Sequence, residues 1–89
     1  MCDYKHAFRS FFGIYVRSIR GAHKLTQEDM SVHLRITPRA LIDLERQKYA
    51  PSALTVLFLL SFLPSEEALR LIEIFRRRMA EVDETEEPS

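Results

Sequence analysis

LTQEDMSVHLRITPRALIDLE, residues 25–45, reads as two short helices joined by a tight corner. Thr26 opens "TQED", where a threonine followed three residues later by an acid is the capping-box pattern that satisfies the free amides of a helix start. The first of the two helices therefore begins at Gln27 and turns Met30 and Leu34 inward. A second must begin at Pro38, because proline holds φ at a helical value and its missing N–H costs nothing in a first turn, while Thr37 ahead of it can cap. The corner is then only Leu34-Arg35-Ile36-Thr37, and the second helix runs to about Arg46 with Leu41 and Leu44 inward.

Outward from this pair the same period continues. Apolar residues at Phe8, Phe12, Tyr15 or Val16, and Ile19 predict a helix from about Tyr4 to Ala22. After the loop "QKYAP", Ser52 caps a fourth helix that runs to about Leu63, Pro64 stops it, and Ser65 caps a fifth from Glu66 to Val82. A chain of 89 residues supports one core, and two glycines and four prolines are too few for a loop-rich or β-rich fold. The expected architecture is all-α with five helices. Residues 1–11 extend the first helix, 12–63 form the domain with its corner motif at about 26–46, and 64–82 form a long C-terminal helix. Residues 83–89 form an acidic tail, expected to be disordered.

Composition excludes several classes. The single Cys2 allows no disulfide or cysteine-based metal site within one chain, and His6, His23 and His33 lack metal-ligand spacing, so neither metal nor cofactor is expected. The most apolar run, Ala53 to Leu63, falls short of the roughly 20 residues needed to cross a bilayer, and no secretory leader is visible, so an intracellular protein without a membrane partner is expected. No nucleophile–base pair or glycine-rich phosphate loop suggests an enzyme. The zero net charge conceals a division: residues 1–52 are net +4 and residues 53–89 net −4. That is how a basic binding surface followed by an acidic tail would appear.

Residues Phe12 to Leu63, through "RSIRGAHKLTQED", "LIDLE" and "PS", resemble the lambda-repressor-like (Cro/XRE-type) helix-turn-helix transcription regulators. The most specific pieces are Arg20, "LTQED", Glu45 and Pro51-Ser52. The resemblance implies a double-stranded-DNA-binding regulator of bacterial or phage type, a dimeric repressor in the cytoplasm at the nucleoid, with its third helix in the major groove. It implies that Arg20 pairs with Glu45 as a structural ion pair and that Gln27 meets a phosphate, unless Gln27 is simply a solvated helix-start residue. Where the family usually has alanine or glycine, this chain has Ser31, Arg35 and Gln47. A non-glycine residue at positive φ costs on the order of 1 kcal/mol, so the corner and the end of the third helix are either strained or differently shaped.

At 100° per residue, with Leu41 and Leu44 inward, the outward arc of the third helix holds Arg39, Asp43 and Arg46, with Ile42 at its edge. The resemblance places base readers at Pro38, Arg39 and Asp43. Arg39 suits guanine O6 and N7, Ile42 a thymine methyl, and Asp43 either accepts from cytosine N4 or orients Arg39 one turn below. A solvated Arg39/Asp43 pair without a DNA role is the alternative. Thr37, Arg46, Lys48 and Arg17 are expected phosphate contacts. The fifth helix spreads Leu69, Ile72, Phe75, Met79 and Val82 over an arc wider than one packing contact needs, which suggests a homodimer interface; the alternative is a monomer that folds this surface onto the first helix. A protein-interaction module on the same scaffold, such as an antitoxin or co-regulator without its own sequence readout, is the second functional reading.

Overall fold

The computed structural model describes residues 4–85. Within them the chain forms α1 (Tyr4–Ala22), α2 (Gln27–Leu34), α3 (Pro38–Glu45), α4 (Ala53–Phe62) and α5 (Ser65–Thr85), and no strand. The starts predicted for α2, α3 and α4 are built as their chemistry requires. Thr26 Oγ1 accepts from Asp29 N at 3.0 Å while Asp29 Oδ2 accepts from Thr26 N at 3.2 Å, a complete capping box. Thr37 Oγ1 accepts from Ala40 N with Pro38 in the first turn, and Ser52 Oγ accepts from Thr55 N.

Two boundaries differ from expectation. Ser65 does not cap α5 but is its first helical residue, and the carbonyl of Pro64 accepts the first helical bond, from Ala68 N at 2.9 Å. Leu63, extended at φ −72° and ψ 145°, already ends α4, as a residue before proline prefers, so a two-residue link leaves no room for a separate cap. At its far end α5 continues to Thr85 rather than stopping at Val82, so residues 83–85, expected as tail, are helical. Arg78 pairs with Glu81 one turn on, and the Tyr4 hydroxyl donates to Asp83, tying the last turns of α5 to the first turn of α1. The rest of the expected tail, 86–89, lies outside the described residues. At the other junction α3 ends at Glu45, with Arg46 as its C-cap.

Three helices close in the same way. At each C-terminus one residue takes a left-handed backbone, Lys24 at φ 58°, Arg35 at 60° and Gln47 at 64°. Its N–H reaches back three residues while the next N–H reaches back five: Leu25 to Arg20, Ile36 to Ser31 and Lys48 to Asp43. This is the Schellman closure, usually built on glycine. The corner and the end of α3 thus keep the shape that glycine would give, with strain, and Lys24 adds a third such position that the sequence did not signal. Partners offset the strain at two of them. The Arg35 guanidinium sits 4.4 Å over the Phe58 ring, and Gln47 Oε1 accepts from Ser10 Oγ at 3.0 Å. Ser31, fully buried where alanine is usual, donates its hydroxyl to the Glu28 carbonyl at 2.7 Å.

The core joins Phe11, Phe12 and Val16 of α1 to Met30 and Leu34 of α2, Leu41 and Leu44 of α3, Leu59 and Leu63 at the end of α4, and Leu71 of α5. Phe11 takes a fully buried place, whereas Phe8, Tyr15 and Ile19, expected inward, pack at its margin. α3 lies against α1 and α2, and α5 runs back along α1. The approach of α3 to α1 depends on Gly13, where an added Cβ would lie 2.6 Å from the Leu44 carbonyl oxygen and 2.9 Å from Gln47 Cγ. Opposite signs follow for two substitutions. Gly13→Ala is expected to destabilise by about 1–3 kcal/mol because a backbone carbonyl must move. Lys24→Gly relieves a left-handed lysine with no side-chain partner among the described residues and is expected to stabilise by at most about 1 kcal/mol. Thermal melts check both, with roughly 4–8 °C per kcal/mol for a domain this size.

Candidate nucleic-acid interface

The position of α3 is fixed by one ion pair. Arg20 on α1 donates from Nε to Glu45 Oε2 at 2.8 Å and from Nη2 to Oε1 at 3.1 Å, a two-pronged contact with the last residue of α3. Its Nη1 also donates to the Leu25 carbonyl at 3.2 Å. The Glu45 side chain is 5% exposed, so its charge is tolerable only because it is paired and hydrogen-bonded. Hydrogen bonding to Glu45 raises the Arg20 guanidinium pKa further above its ordinary value, against burial, which lowers it. Gln27, half-buried at the start of α2, donates to Glu45 Oε1 at 3.3 Å, so one of its amide hydrogens belongs to the clamp.

With α3 held in this way, Pro38, Arg39 and Arg46 are exposed, Ile42 and Asp43 half-buried, and Leu41 and Leu44 fully buried. The arc derived from helical spacing is the arc that is presented. Arg39 Nε stands 3.6 Å from Asp43 Oδ2, and Lys48 Nζ stands 3.8 Å from Asp43 Oδ1. Asp43 is therefore flanked by two cations. Arg17, Gln27 and Arg46 come together around one open cleft whose floor holds Arg20, Ile42 and Glu45. The side chains of Arg17 and Arg46 have no ionic or hydrogen-bonding partner among the described residues. Two free guanidiniums at the rim of a polar cleft, beside the exposed face of a short helix, form a surface suited to a polyanion.

A family model described as helix-turn-helix matches residues 16–75, from the middle of α1 into α5. The chain belongs to the lambda-repressor-like (Cro/C1-type) helix-turn-helix family. It is a DNA-binding helix-turn-helix protein, of a family that is regulatory rather than enzymatic. No curated protein and no solved structure gives a match. The family match begins four residues later than the resembling block read from the sequence and extends twelve residues further, through the first half of α5.

In this helix-turn-helix domain the residues expected at the interface separate into groups. Pro38, Arg39, Ile42 and Asp43 share the outward face of α3. Thr37 caps that helix, and Lys48 follows it beside Asp43. Tyr49 was not anticipated. Its phenol donates to the Ala40 carbonyl at 2.9 Å, which pins the loop after α3 back onto the helix, and burial first, then the charge of Asp43, push its pKa up. An aromatic residue in an otherwise polar loop was the available signal. On α5, Leu69 and Ile72 are exposed, 60% and 41%, and Met79 and Val82 are half-buried. Phe75 is instead engaged within the chain, its ring 6.0 Å from that of Phe8 and 5.4 Å from that of Phe11. No described helix is long and apolar enough to cross a membrane.

The clamp sets an energetic expectation. Arg20→Ala strands a buried carboxylate and should cost about 3 kcal/mol or more. Arg20→Lys should recover only part of that, because an ammonium cannot reproduce the fork. Urea denaturation at unchanged m-value checks both, and a cost under about 1 kcal/mol for Arg20→Ala would contradict the assigned role.

Proposed function

We infer that this protein is a sequence-specific regulator of double-stranded DNA that acts as a dimeric repressor, with α3 in the major groove. The observation that carries the reading is the exposed face of α3, presenting Arg39 beside a cleft rimmed by two unpaired arginines, on a helix immobilised by Arg20–Glu45. Arg39 takes a guanine through its two Nη groups, Ile42 meets a thymine methyl, and Pro38 adds apolar contact at the start of the helix. Asp43 braces Arg39 rather than leading the readout, because the 3.6 Å contact already directs its carboxylate there. Arg17 and Arg46 hold one stretch of phosphate backbone between them. Gln27, oriented by Glu45 through one amide hydrogen, offers its other to the same strand, while Thr37 holds a phosphate at the start of α3 and Lys48, drawn toward Asp43, supplies a weaker contact at its end.

The dimer face combines the exposed Leu69 and Ile72 of α5 with Leu57 of α4, 57% exposed. An apolar groove lined by Val56, Leu60 and Phe75 runs between them. Two copies so joined would address half-sites about one helical turn apart, and occupation of a promoter needs no further surface, which suits repression. Such a regulator works at the nucleoid.

Two measurements test this. Affinity for mixed-sequence duplex should fall log-linearly as salt rises from about 50 to 200 mM. Arg17→Ala and Arg46→Ala should each weaken binding to all sequences and reduce the slope by about 1. A salt-independent affinity would contradict the phosphate roles. Ile72→Arg should convert the protein to monomers in sedimentation and weaken binding to paired half-sites more than to a single one. A wild type that sediments as a monomer at DNA-binding concentrations would contradict the dimer.

A further inference from the structure

On the reading face a single carboxylate stands between two cations. Asp43 Oδ2 is 3.6 Å from Arg39 Nε and Oδ1 is 3.8 Å from Lys48 Nζ. Both separations lie within ion-pair range but beyond a hydrogen bond, so each cation is attracted without being locked. The cations are open to solvent, their side chains 76% and 56% exposed, while Asp43 is 27% exposed. Asp43 Oδ1 is shielded from solvent and accepts no hydrogen bond among the described residues. Tyr49, anchored to Ala40, lies close enough for the carboxylate to act on its phenol.

We propose that Asp43 is a specificity-determining residue that acts by competition, holding Arg39 and Lys48 against capture by phosphate while leaving Arg39 free to read a base. The inference rests on the proposed placement of α3 in the major groove. The asymmetry comes from which guanidinium nitrogen is engaged. Asp43 approaches Arg39 at Nε, which leaves the two Nη groups of this exposed side chain available, and two donors side by side are what guanine O6 and N7 accept. A matching base is therefore bound with the Arg39–Asp43 pair intact. A phosphate of a random sequence offers no such geometry. To reach it Arg39 and Lys48 must leave Asp43, which then presents an unneutralised negative charge to the backbone. Non-specific binding is suppressed more than specific binding, and the ratio between them widens.

Asp43→Asn keeps the shape and removes the charge. Its affinity, and that of the wild type, should be measured across a salt series for a random-sequence duplex and for a duplex enriched by the wild type from a random library. At about 0.1 M salt the variant is expected to bind random duplex roughly five- to tenfold more tightly, with a log–log salt slope steeper by about 1. The enriched duplex should gain less. An unchanged slope and unchanged random-duplex affinity would overturn the proposal, as would a loss confined to the enriched duplex, which would make Asp43 a direct base contact. Lys48→Gln in the native background gives a second reading if Asp43→Asn fails to fold. With Lys48 already held by Asp43, it should weaken random-duplex binding less than Arg17→Ala or Arg46→Ala does, and an equal loss would overturn the competition. A wild type that binds no duplex at low salt would strike at the DNA-binding function itself, not at the role of Asp43.

Discussion

One guanidinium organises this fold. Arg20 grips both oxygens of Glu45 and the carbonyl of Leu25, and so joins α1, the turn that follows it and the last residue of α3. Helices as short as α2 and α3, eight residues each, do not persist in water alone, because nucleation takes most of what so few hydrogen bonds return. They exist here because Met30, Leu34, Leu41 and Leu44 are fully buried and because the clamp fixes where α3 ends. Gln27 completes it by donating to the same carboxylate, so the start of α2 is tied to the end of α3. The face that carries Arg39 is thereby set on a rigid element rather than on a loop.

The sharp connections around that element are made without glycine. Lys24, Arg35 and Gln47 all adopt left-handed backbones, and two of the three use their side chains to offset the strain, Arg35 on the Phe58 ring and Gln47 with Ser10. Glycine at those positions would relax the backbone and lose the contacts. The chain spends a glycine instead at Gly13, where the close approach of α3 to α1 leaves no space for a Cβ. The corner and the clamp are thus two aspects of one constraint, the close seating of α3.

What could be read in the sequence was local. Thr26, Thr37, Pro38 and Ser52 announce helix starts through chemistry confined to a few residues, and all four behave accordingly. The Arg20/Glu45 pair was legible because the residues flanking both partners carry a family resemblance, and the outward arc of α3 followed from helical geometry alone. Features that depend on distant parts of the chain were not legible. The extension of α5 to Thr85 depends in part on Tyr4 at the other end of the sequence, and the inward use of Phe75 depends on Phe8 and Phe11. Gly13 gives no sign of the carbonyl it must accommodate, and nothing at Gln27, expected at a phosphate, signals that it also donates to Glu45. Asp43, open in the sequence between base contact and brace, lies near Lys48 as well as Arg39, a neighbour that helical spacing within α3 could not announce.

The proposed function stands or falls with base reading by Arg39 on the exposed face of α3. Wild type and Arg39→Ala carried side by side through selection from a random duplex library test it most directly. The wild type is expected to enrich one motif, in paired copies about one helical turn apart, and the variant to retain the motif except for a guanine that becomes indifferent, at a loss of about 1–3 kcal/mol. Enrichment of the same motif with the same guanine by both proteins, or of no motif by either, would contradict it.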